Sequence, residues 1–296
     1  MSESHFKKIG WIGTGIMGES MASHLLAAGY SLSVHNRTYE KTKSLSLQGA
    51  VWKETPKKLA EESDIVITML GYPQEVRDTV LGPSGVFATL KPNSILIDMT
   101  TSSPALAREM AQEGGKRQII VLDAPVSGGD VGARNGTLSI MIGGDRKTAE
   151  QLMPIWSILG KTNVWHGQAG CGQHAKMVNQ TMIAGTMIGL CESLLYATRA
   201  GLDLNKVLES VRDGAAGSWA LTHLAPRIVQ NDYAPGFMIE HFVKDLGIVL
   251  EESHQMGLNL PGMELAHRLY TTAKEKGLSR NGTQALYLAL KEIVAS

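Results

Sequence analysis

From residue 8 to about 165, short apolar runs rich in β-branched residues alternate with amphipathic stretches. The runs at 9–12, 32–35, 65–69, 94–98, 119–122, 138–142 and 163–165 predict strands. Most lack strict in-out alternation, as expected of strands covered on both faces. Strands separated by helical segments predict β-α units that build a parallel sheet. The first half therefore reads as α/β.

Beyond Gly167 the pattern changes. Gly170, Cys171 and Gly172 punctuate the chain, and from about Gln173 a stretch without proline keeps helical character to Ala200, where Gly201 serves as a stop. At 1.5 Å per residue this helix is roughly 40 Å long. Its centre, 182–191, is apolar nearly all round and is expected to be buried. Helical periodicity then recurs at 204–212, 222–230, 238–256, 263–276 and 283–295, with Pro235 and Pro261 between segments. The second half reads as all-α, and the boundary is placed at 167/168, giving domains 1–167 and 168–296. One helix with more apolar surface than a small bundle can cover points to a second subunit, hence a homodimer or homotetramer.

Composition narrows the functional classes. Lys plus Arg and Asp plus Glu number 28 each, which removes the basic excess expected of a nucleic-acid-binding or membrane-surface domain. The start, Met1 to His5, lacks the apolar core of a signal peptide, so a cytoplasmic protein is expected. The two cysteines, Cys171 and Cys191, form no Cys-x-x-Cys pair and are expected to be buried thiols; no metal motif occurs.

Directly after the first predicted strand stands Gly13-Thr14-Gly15-Ile16-Met17-Gly18, at the mouth of a helix that continues through Met21, Leu25 and Leu26. That context gives a Gly-x-Gly-x-x-Gly turn its meaning. Gly13 makes the tight turn, Gly15 lets backbone approach a pyrophosphate, and Gly18 lets helix and strand pack closely. At the end of the second strand an acid would pair with a ribose 2′-hydroxyl, whereas Asn36-Arg37-Thr38 stands there, 18 residues past Gly18. A neutral amide followed by a guanidinium favours NADP, with NAD as second choice. Arg37 can equally be read as a solvated loop charge.

Four ordered blocks then carry a resemblance: Trp11 to Gly18 with Met21-Ala22; Asp98-Met99-Thr100-Thr101; Asp123-Ala124-Pro125-Val126-Ser127-Gly128-Gly129; and Gly172 through Lys176 to Asn179-Gln180. Together they resemble the β-hydroxyacid dehydrogenases, the family of 3-hydroxyisobutyrate dehydrogenase, tartronate semialdehyde reductase and the glyoxylate/succinic semialdehyde reductases, over nearly the whole chain. The resemblance implies a Rossmann-type domain followed by an all-α domain with one long interdomain helix. It also implies reversible hydride transfer between a short β-hydroxyacid and its semialdehyde or keto acid. By that similarity Met69, Leu70 and Pro73 flank the cofactor, Thr101 approaches the nicotinamide side, and Lys244 of Lys244-Asp245 lies near cofactor or substrate. Composition alone makes Lys244-Asp245 a surface charge pair. Thr100 and Thr101 can equally cap the next helix with Ser102 and Ser103.

Hydride transfer to a carbonyl leaves charge on oxygen, so a proton donor is needed. The resemblance promotes Lys176 to that role. A place in the first turn of the long helix, beside Met177, Val178 and Met182, would disfavour its charged form. Asn179 and Gln180 share its helical face and offer amides to a substrate hydroxyl or carboxylate. The family often carries two asparagines here, and this chain departs from it with Gln180. Ser127, Gly128 and Gly129 resemble the family's substrate loop, where exposed N–H groups hold a carboxylate; a plain turn is the other reading. The segment from Gly214 to Trp219 reads as pocket wall or as core. A 6-phosphogluconate dehydrogenase shares the scaffold but is longer in its helical half. A non-catalytic NADP-binding regulatory protein is the alternative of a different class.

Overall fold

The computed structural model describes residues 8–294, so the Met1 to His5 start and Ala295 lie outside the described residues. The chain divides into two compact units, Met1–Lys176 and Met177–Ser296, and the division falls within one helix, Cys171–Arg199.

In the first unit the strands are β1 (Lys8–Ile12), β2 (Ser31–His35), β3 (Val51–Trp52), β4 (Ile65–Thr68), β5 (Ile95–Asp98), β6 (Ile120–Asp123), β7 (Val126–Ser127), β8 (Leu138–Gly143) and β9 (Gly160–Gly167). They form one sheet in the order β3-β2-β1-β4-β5-β6-β8-β7, with β9 also paired to β8. From β3 to β6 the pairing is parallel, in the order of a dinucleotide-binding fold whose strand direction of winding switches between β1 and β4. The sheet is mainly parallel, as expected; β8 departs from this and runs antiparallel to β6 and β7. The connection from Ser127 to Leu138 is too short for the dozen or so residues that a parallel crossover takes.

Period-two geometry explains why the strand runs are apolar on both sides. Ile9, Trp11, Ile65, Ile67, Ile95 and Ile97 enter one core with Met21, Leu25 and Trp156. Ile12, Val66 and Leu96 enter the opposite core with Leu59, Val76 and Met110.

The second unit is helical: after the long helix come Leu204–Arg212, Trp219–His223, Ala225–Val229, Ile239–Gln255, Pro261–Ala273 and Leu286–Ile293. The single helix expected over 222–230 is broken, because Pro226 has no N–H to continue the preceding turn and instead opens a new one. Along the long helix Ala184, Met187, Cys191 and Leu194 are buried at helical spacing. The opposite side is open, with Val178 63%, Met182 70% and Tyr196 76% exposed, so the expectation of burial all round is corrected. The other helices of this unit cover only one stripe of it. Of the two cysteines only Cys191 is buried, which pushes its thiol up to about 12; Cys171 is half-buried.

At the centre of this unit Phe242 meets Phe237 and Tyr270 edge-on, at centroid distances of 5.7 and 4.8 Å. The Tyr270 hydroxyl donates to the Thr283 carbonyl at 3.0 Å. Phe242→Ala is expected to lower stability by about 3–5 kcal/mol, read as a fall in the urea midpoint of the helical unit. A loss below about 1 kcal/mol would mean that the three rings do not form the packing centre.

Candidate active site

The turn after β1 separates the duties of its glycines. Gly13 has φ 98°, donates its N–H to the His35 carbonyl at 3.0 Å, and leaves no room for a side chain, since a Cβ would stand 2.2 Å from the Met69 carbonyl oxygen. At Gly18 a Cβ would stand 2.1 Å from the Gly13 carbonyl oxygen, so only glycine lets the helix Ile16–Ala27 lie on the turn. Gly15 caps that helix, is exposed, and a Cβ there would meet nothing within 4 Å. The protein itself therefore requires Gly13 and Gly18, while the space at Gly15 is free for an anion at a helix N-terminus. Thr14 Oγ1 is buried beside it without a partner in the protein, Ile16 is exposed and Met17 half-buried. These residues fit a pyrophosphate.

After β2, Asn36 turns inward and its amide donates to the Thr38 carbonyl at 3.0 Å. Arg37 points out, 84% exposed, and pairs with Glu75 at 2.6 Å. Glu75, which the sequence did not suggest, also accepts the Gly71 N–H at 3.1 Å. Because β2 and β4 flank β1, this ion pair spans the glycine turn. An exposed pair of this kind is worth little and yields readily to a stronger anion. Met69 continues β4, donating its N–H to Ile12. The Leu70 N–H goes to Thr100 Oγ1 at 2.9 Å, and Pro73 opens the helix Pro73–Leu81. Of the threonines after β5, Thr100 thus ties two loops together and Thr101 is half-buried. Ser103 caps the next helix, accepting the Leu106 N–H at 3.1 Å.

Two buried acids stand in register at the ends of β5 and β6, Asp98 and Asp123. Asp98 Oδ1 accepts from the Thr68 hydroxyl at 2.8 Å and the Thr100 N–H at 3.1 Å. Burial pushes its carboxyl up to about 6. Asp123 is also raised by burial, against the pull of the backbone N–H groups that it accepts. Those groups begin the long helix: Gly170 N–H to Oδ1 and Gln173 N–H to Oδ2, both 2.8 Å. Gln173 in turn grips the loop after β5, donating to the Thr100 carbonyl at 2.7 Å and accepting the Ser102 N–H at 2.9 Å.

Lys176 follows on this clamped helix and is buried, 6% exposed. The helix starts at Cys171, earlier than expected, which moves Lys176 out of the first turn. With Asp123 also at that helix end, the field invoked from the sequence is weaker at Lys176 than expected, because it falls off within one turn. Of its expected apolar neighbours Met177 is buried, while Val178 and Met182 face outward. In the loop after β7, Ser127 is half-buried, Gly128 is exposed at φ 128° and Gly129 has φ 63°, a turn that two glycines adopt without strain.

In the second unit Asn179, Gln180 and Lys244 come together through Asp245. Asn179 Nδ2 donates to Gln180 Oε1 at 2.8 Å, Gln180 Nε2 donates to Asp245 Oδ2 at 2.5 Å, and Lys244 Nζ lies 2.7 Å from Asp245 Oδ1. The reading of Lys244-Asp245 as a surface pair is corrected: their side chains are 12% and 1% exposed. Trp219 is not core; it is exposed and stacks on His223 at 4.6 Å.

The described sheet and glycine turn define a dinucleotide-binding class of protein. The family of the NAD-binding domain of 6-phosphogluconate dehydrogenase matches residues 8–167. The NAD-binding family of NADP-dependent 3-hydroxyisobutyrate dehydrogenase matches residues 170–290. The chain is 48% identical to an uncharacterized oxidoreductase of Bacillus subtilis, over 95% of this chain and 98% of that protein. It is 50% identical to the probable mitochondrial 3-hydroxyisobutyrate dehydrogenase-like 1 of Arabidopsis thaliana, over 97% of this chain and 86% of that one. The structure of Mycobacterium tuberculosis 3-hydroxyisobutyrate dehydrogenase with L-serine superimposes with a TM-score of 0.88 at 27% identity, over 96% of this chain and 99% of that one. The chain belongs to the β-hydroxyacid dehydrogenase family. Its relatives are NAD(P)-dependent oxidoreductases of the 3-hydroxyisobutyrate dehydrogenase type.

The buried Asp98 gives a pH test. Its folded value of about 6 lies above the ordinary 3.8, so between those values the folded protein holds a proton that the unfolded chain has released. This group's contribution to stability is therefore greatest below about pH 4 and falls as pH rises toward 6. Asp98→Asn removes the dependence, so the variant should gain roughly 3 kcal/mol on the wild type between about pH 4 and pH 7.5. Urea melts at both pH values read the change, and a pH-independent difference would show that burial does not perturb this acid.

Proposed function

We propose that the protein is an NADP-dependent dehydrogenase that interconverts a short β-hydroxyacid and its semialdehyde or keto acid, with Lys176 as general acid and base. The observation that carries this reading is a buried lysine on a helix whose start is fastened by Asp123 and Gln173 to the strand ends of the dinucleotide-binding sheet. Fixed placement and exclusion of water are what a proton donor at a developing alkoxide needs.

The nicotinamide, when bound, gives hydride to the carbonyl carbon or takes it from the hydroxyl-bearing carbon. Lys176 gives its proton to the carbonyl oxygen in reduction and accepts the hydroxyl proton in oxidation. Ser127 and the N–H groups of Gly128 and Gly129 hold the substrate carboxylate, while Asn179 with Gln180 orients the reacting oxygen. Gly13, Gly15, Ile16, Met17 and Gly18 cradle the pyrophosphate, Met69, Leu70, Pro73 and Thr101 flank the cofactor, and Lys244 lies near it. An L-serine bound to the mycobacterial relative supports a short 3-hydroxyacid as substrate class. Asn36, Arg37 and Thr38 receive the 2′-phosphate, supported by the outward-pointing guanidinium of Arg37. In this reading residues 1–167 bind NADP, residues 168–296 serve substrate binding and assembly, and the protein works in the cytoplasm.

Purified protein with C2 to C4 aldehyde and keto acids should oxidise NADPH far faster than NADH. Lys176→Ala should lose about two or more orders of magnitude in kcat. Arg37→Ala should weaken NADPH binding by about tenfold or more while sparing NADH, the scale of a lost charge-assisted hydrogen bond. Equal turnover with NADH would overturn the cofactor assignment, and NADPH binding without reduction of any acid would favour a regulatory protein.

The open apolar face of the long helix, on which Val178, Met182 and Tyr196 are exposed, supports a homodimer or homotetramer. Sedimentation equilibrium should give at least twice the 31.9 kDa chain mass, and Met182→Glu should shift it toward the monomer. A monomeric wild type would remove the assembly from this proposal.

A further inference from the structure

We infer that Asp245 is a positioning residue that, acting through Gln180, fixes which end of the Asn179 amide is left for the substrate. This rests on the function proposed above, in which Asn179 touches the substrate.

The argument is one of hydrogen-bond polarity. A carboxylate accepts and cannot donate. Asp245 Oδ2 therefore turns the Gln180 amide so that its NH₂ points at the acid, at 2.5 Å, and its carbonyl points away. That carbonyl oxygen can only accept, and it takes the Asn179 NH₂ at 2.8 Å. The Asn179 amide is turned in the same sense, which leaves its own carbonyl oxygen as the acceptor presented outward. An acceptor there suits the hydroxyl of an arriving hydroxyacid, which donates its one proton to Asn179 on binding and turns it to Lys176 for the transfer.

Lys244 completes the chain by pairing with the other Asp245 oxygen at 2.7 Å, so the acid is held from both sides. Gln180 and Asp245 are each 1% exposed, and the Gln180 amide is engaged at both ends with protein. Gln180 is thereby a relay rather than a contact of the substrate. Partly buried chains of this kind polarise along their length and act as one unit. The glutamine side chain is long enough for its amide to reach a carboxylate on the neighbouring helix, Ile239–Gln255.

The test is a double-mutant cycle on the full chain with Asp245→Asn and Gln180→Met, using 3-hydroxyisobutyrate and L-serine with NADP. Each single change should raise the hydroxyacid KM on the order of tenfold, the size of one lost oriented hydrogen bond, with the NADPH dissociation constant moved less than about twofold. The double variant should be no worse than the poorer single, because both cut one chain. Multiplying effects would overturn the relay. Side-chain amide ¹⁵N–¹H spectra give a second reading that needs no substrate. The Asn179 pair, assigned by its loss in Asn179→Ala, should shift in Gln180→Met and Asp245→Asn alike. An unmoved pair in Asp245→Asn would overturn the inference whether or not the protein is an enzyme, and Gln180→Met reads the same chain from its middle should loss of Asp245 unfold the unit. A wild type inactive on every acid would instead overturn the proposed function and leave the spectra to decide the relay.

Discussion

A long helix that starts on a buried carboxylate is the constraint on which the rest of the first unit depends. The opening N–H groups of a helix have no partners within it, and a carboxylate in a sheet interior has lost its water. Asp123 settles both by accepting from Gly170 and Gln173 at 2.8 Å each. Removing either side would strand the other, which is why the join is tight enough that a Cβ on Gly172 would stand 2.4 Å from the Met141 carbonyl. Gln173 then adds the loop after β5 to the same knot. Lys176, one turn further along that helix, inherits its position from this join.

The cofactor end of the sheet shows how one short motif divides its work. Gly13 and Gly18 are dictated by backbone contacts that no side chain could share, whereas Gly15 leaves space that the protein does not fill. Around that space, polar groups serve loops first: Thr100 receives the Leu70 N–H, and Glu75 receives the Gly71 N–H while holding Arg37. The result is a set of strand ends stiffened by one another, the rigidity that the proposed hydride and proton transfer would need.

The α/β half and the helical half were legible in the residues because burial on both faces leaves unbroken apolar strands, and burial on one face leaves helical periodicity. The glycine turn was legible for the same reason: steric exclusion acts locally and writes itself into residue type. What was misread had longer reach. The reversal at β8 depends on how much chain lies between two strands, and Pro226 overrode a periodicity that otherwise promised one helix. The exposure of Val178 and Met182 depends on which stripe of the long helix its neighbours cover.

The sequence by itself determined the strand order's raw material, the phosphate turn, and the residues Lys176, Asn179 and Gln180 at helical spacing, since each follows from sterics or from a period along one element. Only the tertiary structure decided their partners. Asp123 lies far from Gly170 and Gln173 along the chain, Asp245 far from Gln180, and Glu75 far from Arg37, and no local pattern records which polar groups folding will bring within hydrogen-bond distance. A buried acid can be satisfied by any donor that the fold delivers, so its residue type shows that a partner is needed without showing which one.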